Sequence, residues 1–127
     1  MKVGYIRIST KEQNTARQDV LMEGLGVEKV YTDKLSGKNI DRPELHKMMD
    51  FVREGDAVIV ESFSRFARNT RDLLDLTTAL AEKGVQFVSK KESIDTSTPA
   101  GKFMLTVFAA LAEFERETLR ERQAEGI

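Results

Sequence analysis

Residues 57–63, AVIVESF, form the most apolar run in the chain, and the turn pair Gly55-Asp56 leads into it. The run is short and β-branched, which suits a strand, and its near-continuous hydrophobicity implies burial on both faces. Sheets buried on both faces are typically parallel, with helices packed above and below. The remaining pattern agrees. Residues 3–8, VGYIRI, read as a first strand. Residues 11–23 carry apolar points at Ala16, Val20 and Leu21 and read as an amphipathic helix, with Gly24 and Gly26 as its stop. Val27 to Thr32 reads as a second strand, followed by the polar loop DKLSGKNIDR. Asp41 and Glu44 have capping-box spacing and Pro43 suits a first helical turn, so a helix is predicted from there to about Arg53. A helix over 70–82 carries Leu73, Leu76 and Leu80 and ends at Gly84, and VQFVS (85–89) is a fourth strand. Thr98-Pro99 opens a long final helix reaching Arg122. This alternation predicts an α/β fold: three layers, with a mostly parallel central sheet of four to five strands, flanking helices and a long C-terminal helix.

The chain has 127 residues, which suits one domain, and 40% of them are apolar, enough to bury a core at this size. Residues 1–100 read as an α/β catalytic core, and 101–127 as a long helix of the same domain. In that helix Phe103, Met104, Val107, Phe108 and Leu111 form a wide apolar stripe, while the part after Phe114 is mostly charged. The absence of cysteine removes disulfides, zinc fingers and thiol nucleophiles together. No apolar run is long enough to cross a bilayer and the N-terminus does not have the pattern of a signal peptide, so a cytoplasmic location is expected. The net charge of −1 gives no general support for nucleic-acid binding. Charge is uneven, however: residues 61–71 hold three Arg against one Glu, whereas 113–122 hold three Arg against four Glu.

In an open parallel sheet, sites gather at the carboxyl ends of the strands. There the first strand delivers Arg7, Ser9 and Thr10, and the second leads to Asp33, Ser36-Gly37 and Arg42. The third leads to Ser62, Ser64, Arg65 and Arg68, and the fourth to Lys90, Lys91 and Glu92. A hydroxyl, a carboxylate and several guanidinium groups on one edge suit phosphoryl transfer, whose transition state spreads negative charge over non-bridging oxygens. Nearby cations also favour the alkoxide form of a serine. Two or more Arg can supply the charge a metal would bring, and no His/Asp/Glu cluster has metal spacing, so no metal or cofactor is expected. If residues 65–68 are helical, Arg65 and Arg68 share a face, as Arg116 and Arg120 would on the last helix.

Taken singly, each of these residues has a plainer reading. Ser9 is a turn or cap residue, Asp33 and Ser36-Gly37 belong to turns, and Arg65, Arg68 and Arg71 decorate a solvated face. Arg42 beside Asp41 is a surface pair worth little. His46, the only histidine, is a packing or surface residue. Ala100-Gly101-Lys102 lacks the spacing of a phosphate loop. The joint placement at one sheet edge is what argues for a site.

Five separated blocks carry a resemblance: YIRIS (5–9), Gln18 in the first helix, TDKLSGKNIDRPEL (32–45), SFSRFARN (62–69) and EFERETLRERQAEGI (113–127). In order and over essentially the whole chain they resemble the serine recombinases, closest to the small resolvases and invertases. The resemblance implies a site-specific DNA recombinase. Ser9 would attack the scissile phosphodiester, giving a 5′-phosphoserine link and a free 3′-hydroxyl. It implies that Arg7, Arg65 and Arg68 bind and activate the phosphate, that Arg42 and Gln18 assist, and that Asp33 orients these groups. It places Arg116, Arg120, Glu121 and Arg122 in a helix block that serves assembly or DNA contact. The expected partners are duplex DNA and further copies of the chain, as a homodimer and, in the synaptic complex, a tetramer. Neither a membrane nor ATP is involved. Family members of the small group carry a C-terminal helix-turn-helix module, and the chain is expected to be the catalytic part of such a protein. One departure stands out: many relatives have Asp where this chain has Ser64.

Three other classes fit the residues less well. A receiver-like phosphate-sensing module needs an acidic pair after the first strand, where this chain has Arg7 and Ser9. A serine hydrolase needs a nucleophile elbow, which is absent. A catalytically silent oligomerisation domain of a DNA-binding regulator needs only the apolar helix stripe, but it would have no use for Ser9 and its arginines.

Overall fold

The computed structural model describes residues 1–9, 16–35, 41–108 and 110–111, and for Ser9 and Leu35 their backbone alone. Strand β1 spans Lys2–Ser9, helix α1 Ala16–Gly24, β2 Lys29–Leu35, α2 Pro43–Phe51 and β3 Ala57–Val60. A 3-10 turn at Phe63–Arg65 leads into α3 (Thr70–Glu82), β4 (Gln86–Ser89) and β5 (Ile94–Asp95). Helix α4 follows over 99–108. The sheet order is β2-β1-β3-β4-β5. The first four strands run parallel and β5 is antiparallel to β4.

All four residues of β3 are buried, as the apolar run requires of a central strand. Alternate residues of β1 divide between two cores. Val3 and Tyr5 join Leu45, Met48 and Val52 of the α2 segment, Leu73 and Leu80 of α3, and Val58, Val60 and Phe87. Ile6 and Ile8 join Met22 of α1 and Ile59 on the other face. Burying side chains of this size fully contributes roughly 1.5–3 kcal/mol each relative to exposure. The result is the expected three-layer arrangement with β1 beside the centre of the sheet. β1 is the strand whose carboxyl end delivers Arg7 and Ser9.

Several local expectations are corrected. Strand β2 continues past Thr32 to Leu35, because its pairing with β1 runs unbroken from Val3↔Lys29 to Ser9↔Leu35. Asp33 is therefore a strand residue and is 3% exposed, not a solvated turn residue. Strand β3 ends at Val60, and Phe63 already belongs to the 3-10 turn. Asp41 does not cap α2. With Pro43 as the first helical residue, Arg42 occupies the N-cap and makes no side-chain cap bond. The free amides of Glu44 and Leu45 go to Asp33 instead, at 3.0 Å each. The short strand β5 carries two residues and completes a five-stranded sheet, within the expected four to five. The first part of the predicted first helix, residues 11–15, lies outside the described residues, as does everything from 112 onward.

Helix α4 begins where Thr98-Pro99 suggested, with Thr98 Oγ1 accepting from the Gly101 amide at 3.0 Å. Gly101 lies against the backbone of Asp95, so closely that a Cβ would overlap its carbonyl. A glycine is required for that approach. The helix then leaves Phe103, Met104, Val107 and Leu111 solvent-exposed in the single chain.

Candidate active site

The site is built from the carboxyl end of β1 outward. Backbone pairing sets Arg7 of β1 opposite Asp33 of β2. Asp33 is fully engaged: its Oδ2 accepts from Tyr5 Oη at 2.7 Å and from the Leu45 amide, and Oδ1 accepts from the Glu44 amide. One buried carboxylate therefore ties β1, β2 and the start of α2 together. Its negative charge also sits at the positive end of the α2 dipole. Burial, and then the bond to Asp33, pushes the Tyr5 phenol far above its ordinary value. The phenol is held protonated as a donor.

On the other flank, the chain leaving β3 folds back over β1. Phe66 anchors it: its ring is 0% exposed and packs at 4.9 Å from Phe87 and 6.2 Å from Tyr5. Arg7 Nη2 donates to the Ser64 carbonyl, and Arg65 Nη1 donates to the Arg7 carbonyl at 3.2 Å. Arg7 and Arg65 thus hold each other's segments through main-chain oxygens. Burial is the main cause that lowers Arg7 from its ordinary value, and the positive charges of Arg42 and Arg65 add to it. Arg7 remains a guanidinium cation. A surplus of positive charge in a partly desolvated place is relieved by an anion.

Arg65 and Arg68 do not share a helix face. The 3-10 turn ends at Arg65 and α3 begins at Thr70, leaving Arg68 in the bend between them. Arg68 meets Arg7 differently, across a cleft of about 320 Å³. Arg7, Ser64 and Arg68 line it together with apolar Phe63, Leu73 and Phe108. The Ser64 hydroxyl is 3.1 Å from the Ser62 hydroxyl. Glu92 accepts from the Phe63 amide of this turn at 3.2 Å and from the Ser89 hydroxyl.

Arg42 is not a surface residue beside Asp41. It is 4% exposed, and its guanidinium makes a two-pronged pair with Asp72. It also donates to the Phe66 carbonyl at 3.2 Å. Burial would raise the Asp72 carboxyl, but bonds from Arg42 and from the Arg68 amide outweigh it and hold the group below the ordinary carboxylate range. Gln18 is 3% exposed on α1, and its Oε1 has no hydrogen-bond partner among the described residues. The neighbouring Arg17 pairs with Glu61 at the end of β3, so α1 reaches the same sheet edge.

The structure thus brings Arg7, Arg65, Arg68, Arg42 and Asp33 around the end of β1, where the backbone of Ser9 lies. Arg116, Arg120, Glu121 and Arg122 lie outside the described residues. Sequence reading missed Tyr5 and Asp72. The Asn69-x-x-Asp72 spacing of a helix start was a readable signal for the second, since Asn69 Oδ1 accepts from the Asp72 amide at 2.8 Å. No comparable signal marked Tyr5, whose partner is 28 residues away. Among the described residues no group of His, Cys, Asp or Glu is arranged to hold a metal ion. No described helix is long and apolar enough to cross a membrane.

A nearly parallel sheet with arginines gathered at one carboxyl edge defines the α/β domain. Residues 2–127 match the family "Resolvase, N terminal domain". Over 129 residues the chain is 46% identical to the Transposon Tn501 resolvase of Pseudomonas aeruginosa, covering 99% of this chain and 68% of that one. It is 44% identical over 127 residues to the DNA-invertase of Escherichia phage P1, covering 100% of this chain and 68% of the invertase. Among solved structures, it superposes with a TM-score of 0.74 on a resolvase family site-specific recombinase from Streptococcus pneumoniae. That match is 30% identical and covers 99% of this chain and 95% of the other. The N-terminal catalytic domain of TP901-1 integrase gives a TM-score of 0.72 at 32% identity, covering 93% of this chain and 98% of the integrase domain. The chain belongs to the resolvase family of serine recombinases. Its function is site-specific DNA recombination of the resolvase and invertase type.

Proposed function

We propose that Ser9 is the nucleophile of this recombinase and that Arg7, Arg65 and Arg68 form its phosphate-activating group. The observation that carries this reading is the convergence of three arginines from two segments, Arg7 of β1 and Arg65 and Arg68 of the connection between β3 and α3, on the strand end where Ser9 lies. The serine oxygen bonds to phosphorus and the bond from phosphorus to the 3′-oxygen breaks. The serine proton is lost and the departing 3′-oxygen is protonated. The 5′-phosphate stays esterified to Ser9, so the bond energy is retained for rejoining by the reverse step. The arginines stabilise charge on the non-bridging oxygens, and by doing so favour attack by an otherwise weak nucleophile. Asp33 acts by orienting, since its own oxygens are already committed to Tyr5 and α2. Arg42, at the N-cap of α2, would assist that network through Asp72 and the Phe66 carbonyl, and Gln18 on α1 would help shape the site.

Residues 1–100 would act as the catalytic core, with 101–127 as an arm for dimerisation and approach to DNA. The exposed apolar face of Phe103, Met104, Val107 and Leu111 supports pairing with a second copy. Two such dimers would form the tetramer that exchanges strands. Arg116, Arg120, Glu121 and Arg122 would serve assembly or DNA contact along that arm. Such an enzyme works in the cytoplasm on the nucleoid.

The test is to incubate the full-length protein with a supercoiled plasmid carrying its recombination site and assay covalent protein–DNA adduct. Wild type is expected to form it. Ser9→Ala is expected to bind the plasmid and leave it intact. Cleavage and linkage by Ser9→Ala would overturn the assignment, and a wild-type protein that binds without cutting would favour a silent oligomerisation domain.

A further inference from the structure

Asp72 lies on α3, outside every block that pointed to the site, yet it holds two of the site's arginines at once. Its Oδ2 accepts from Arg42 Nη1 at 2.8 Å and from the Arg68 amide at 2.9 Å, and its Oδ1 accepts from Arg42 Nη2 at 3.0 Å. Arg42 Nη1 also donates to the Phe66 carbonyl. The segment 66–68 is thereby tied at both ends, at the Phe66 carbonyl by Arg42 and at the Arg68 amide by Asp72. Consecutive Cα atoms are only about 3.8 Å apart, so little backbone freedom remains between those two anchors. What is left to Arg68 is its own side chain, which reaches the cleft it lines with Arg7.

A plain helix cap does not account for this arrangement. Asn69 already caps α3 through the Asp72 amide. An amide or hydroxyl at position 72 would serve equally well to accept one more N–H. Arg42 is different: it is a buried cation at 4% exposure, and it needs a full negative charge with two aligned oxygens. The carboxylate also removes one positive charge from a cluster that already holds Arg7, Arg42, Arg65 and Arg68. With Asp72 present, Arg42 braces the loop; without its charge, Arg42 is free to turn towards the arginines' own anion site and compete for it.

The geometry points to Asp72 as a positioning residue for strand cleavage, which fixes Arg68 over the scissile phosphate by pairing with Arg42 and binding the Arg68 amide. This rests on the reading of Ser9 and its arginines given above. Asp72 touches neither the phosphate nor the nucleophile in this account, and it acts only through the two arginines.

The decisive experiment measures adduct formation in a single turnover, with full-length protein in excess over a supercoiled plasmid that carries its recombination site. Three quantities are read: the rate constant, the amplitude, and the protein concentration that half-saturates the DNA. Asp72→Asn keeps the shape and one acceptor oxygen but removes the charge. Its rate constant is expected to fall by about 10–100-fold, the scale on which small misplacements near a reacting centre act. The amplitude and the half-saturating concentration are expected to stay within about twofold of wild type, because only a step after binding is affected. A merely structural role would show the reverse, a loss of amplitude at an unchanged rate constant. Should Asp72→Asn fail to fold, Asp72→Glu moves the charge outward by one methylene, and the same loss in rate constant is expected. A rate constant within about twofold of wild type in the folded variant would overturn the inference. So would a loss confined to amplitude or to DNA affinity. Absence of adduct with the wild-type protein removes the Ser9 reading and this inference together, whereas an active wild type with an equally fast Asp72→Asn removes the inference alone.

Discussion

The two flanks of strand β1 treat their polar groups in opposite ways. On the β2 flank, Asp33 accepts from Tyr5, Glu44 and Leu45, and every donor there has a carboxylate oxygen at 2.7–3.0 Å. On the β3 flank, Arg7 and Arg65 donate to main-chain carbonyls, and Arg68 lines an open cleft with Arg7. A closed network of neutral and charged partners fixes shape. Cations that lean on carbonyl oxygens keep the capacity to bind an anion, because a charged acceptor makes the stronger bond. The same sheet edge thus has a side closed by a carboxylate and a side lined by arginines, and the proposed site rests on that division.

The division is sharpest for Arg68. Arg68→Ala is expected to lower the cleavage rate by about 10²-fold or more, in line with deleting a charge donor to a transition state. Its unfolding free energy should change little, since the side chain is exposed. Denaturant titration beside the adduct assay checks both halves, and a large stability loss with intact cleavage would break the division. Asp33→Ala is expected to do the opposite in kind. It strands the Tyr5 hydroxyl and two amides of α2, so stability should fall by about 2–4 kcal/mol. Urea unfolding measures it, and a loss under about 0.5 kcal/mol would show that Asp33 is not the keystone of its flank. Tyr5→Phe should cost the least, about 1 kcal/mol, because it removes one of the three donors to Asp33 and leaves the ring packing intact.

Much of this was legible in the amino-acid sequence, for reasons that separate local from distant effects. The apolar run at 57–60 announced a strand buried on both faces because its burial needs no knowledge of its neighbours. Thr98-Pro99 and Gly84 marked helix boundaries through backbone geometry alone. Strand β2 was cut short at Thr32 because Asp33 and Lys34 look like turn residues until pairing with β1 carries them into the sheet. The Asp41–Glu44 box had the right spacing, but Pro43 shifted the helix frame and a carboxylate from β2 took the cap. Arg42 read as half of a surface pair, since its true partner lies 30 residues away on α3. The arginines of the site were found by residue type and by the strand ends they follow. Their common helix face was not real: Phe66 turns the chain into the core between them. Local signals predicted which residues gather, and tertiary contacts decided what each one does there.

The central claim is that the arginine-lined flank serves a serine at the end of β1. The most direct measurement is to trap the covalent adduct on a supercoiled plasmid carrying the recombination site, digest both protein and DNA, and map the nucleotide-bearing peptide by mass spectrometry. The expected result is a 5′-phosphonucleotide on the peptide spanning 3–11, fragmenting to place it on Ser9. A nucleotide on any other residue, or cleaved DNA with no protein attached, would contradict it.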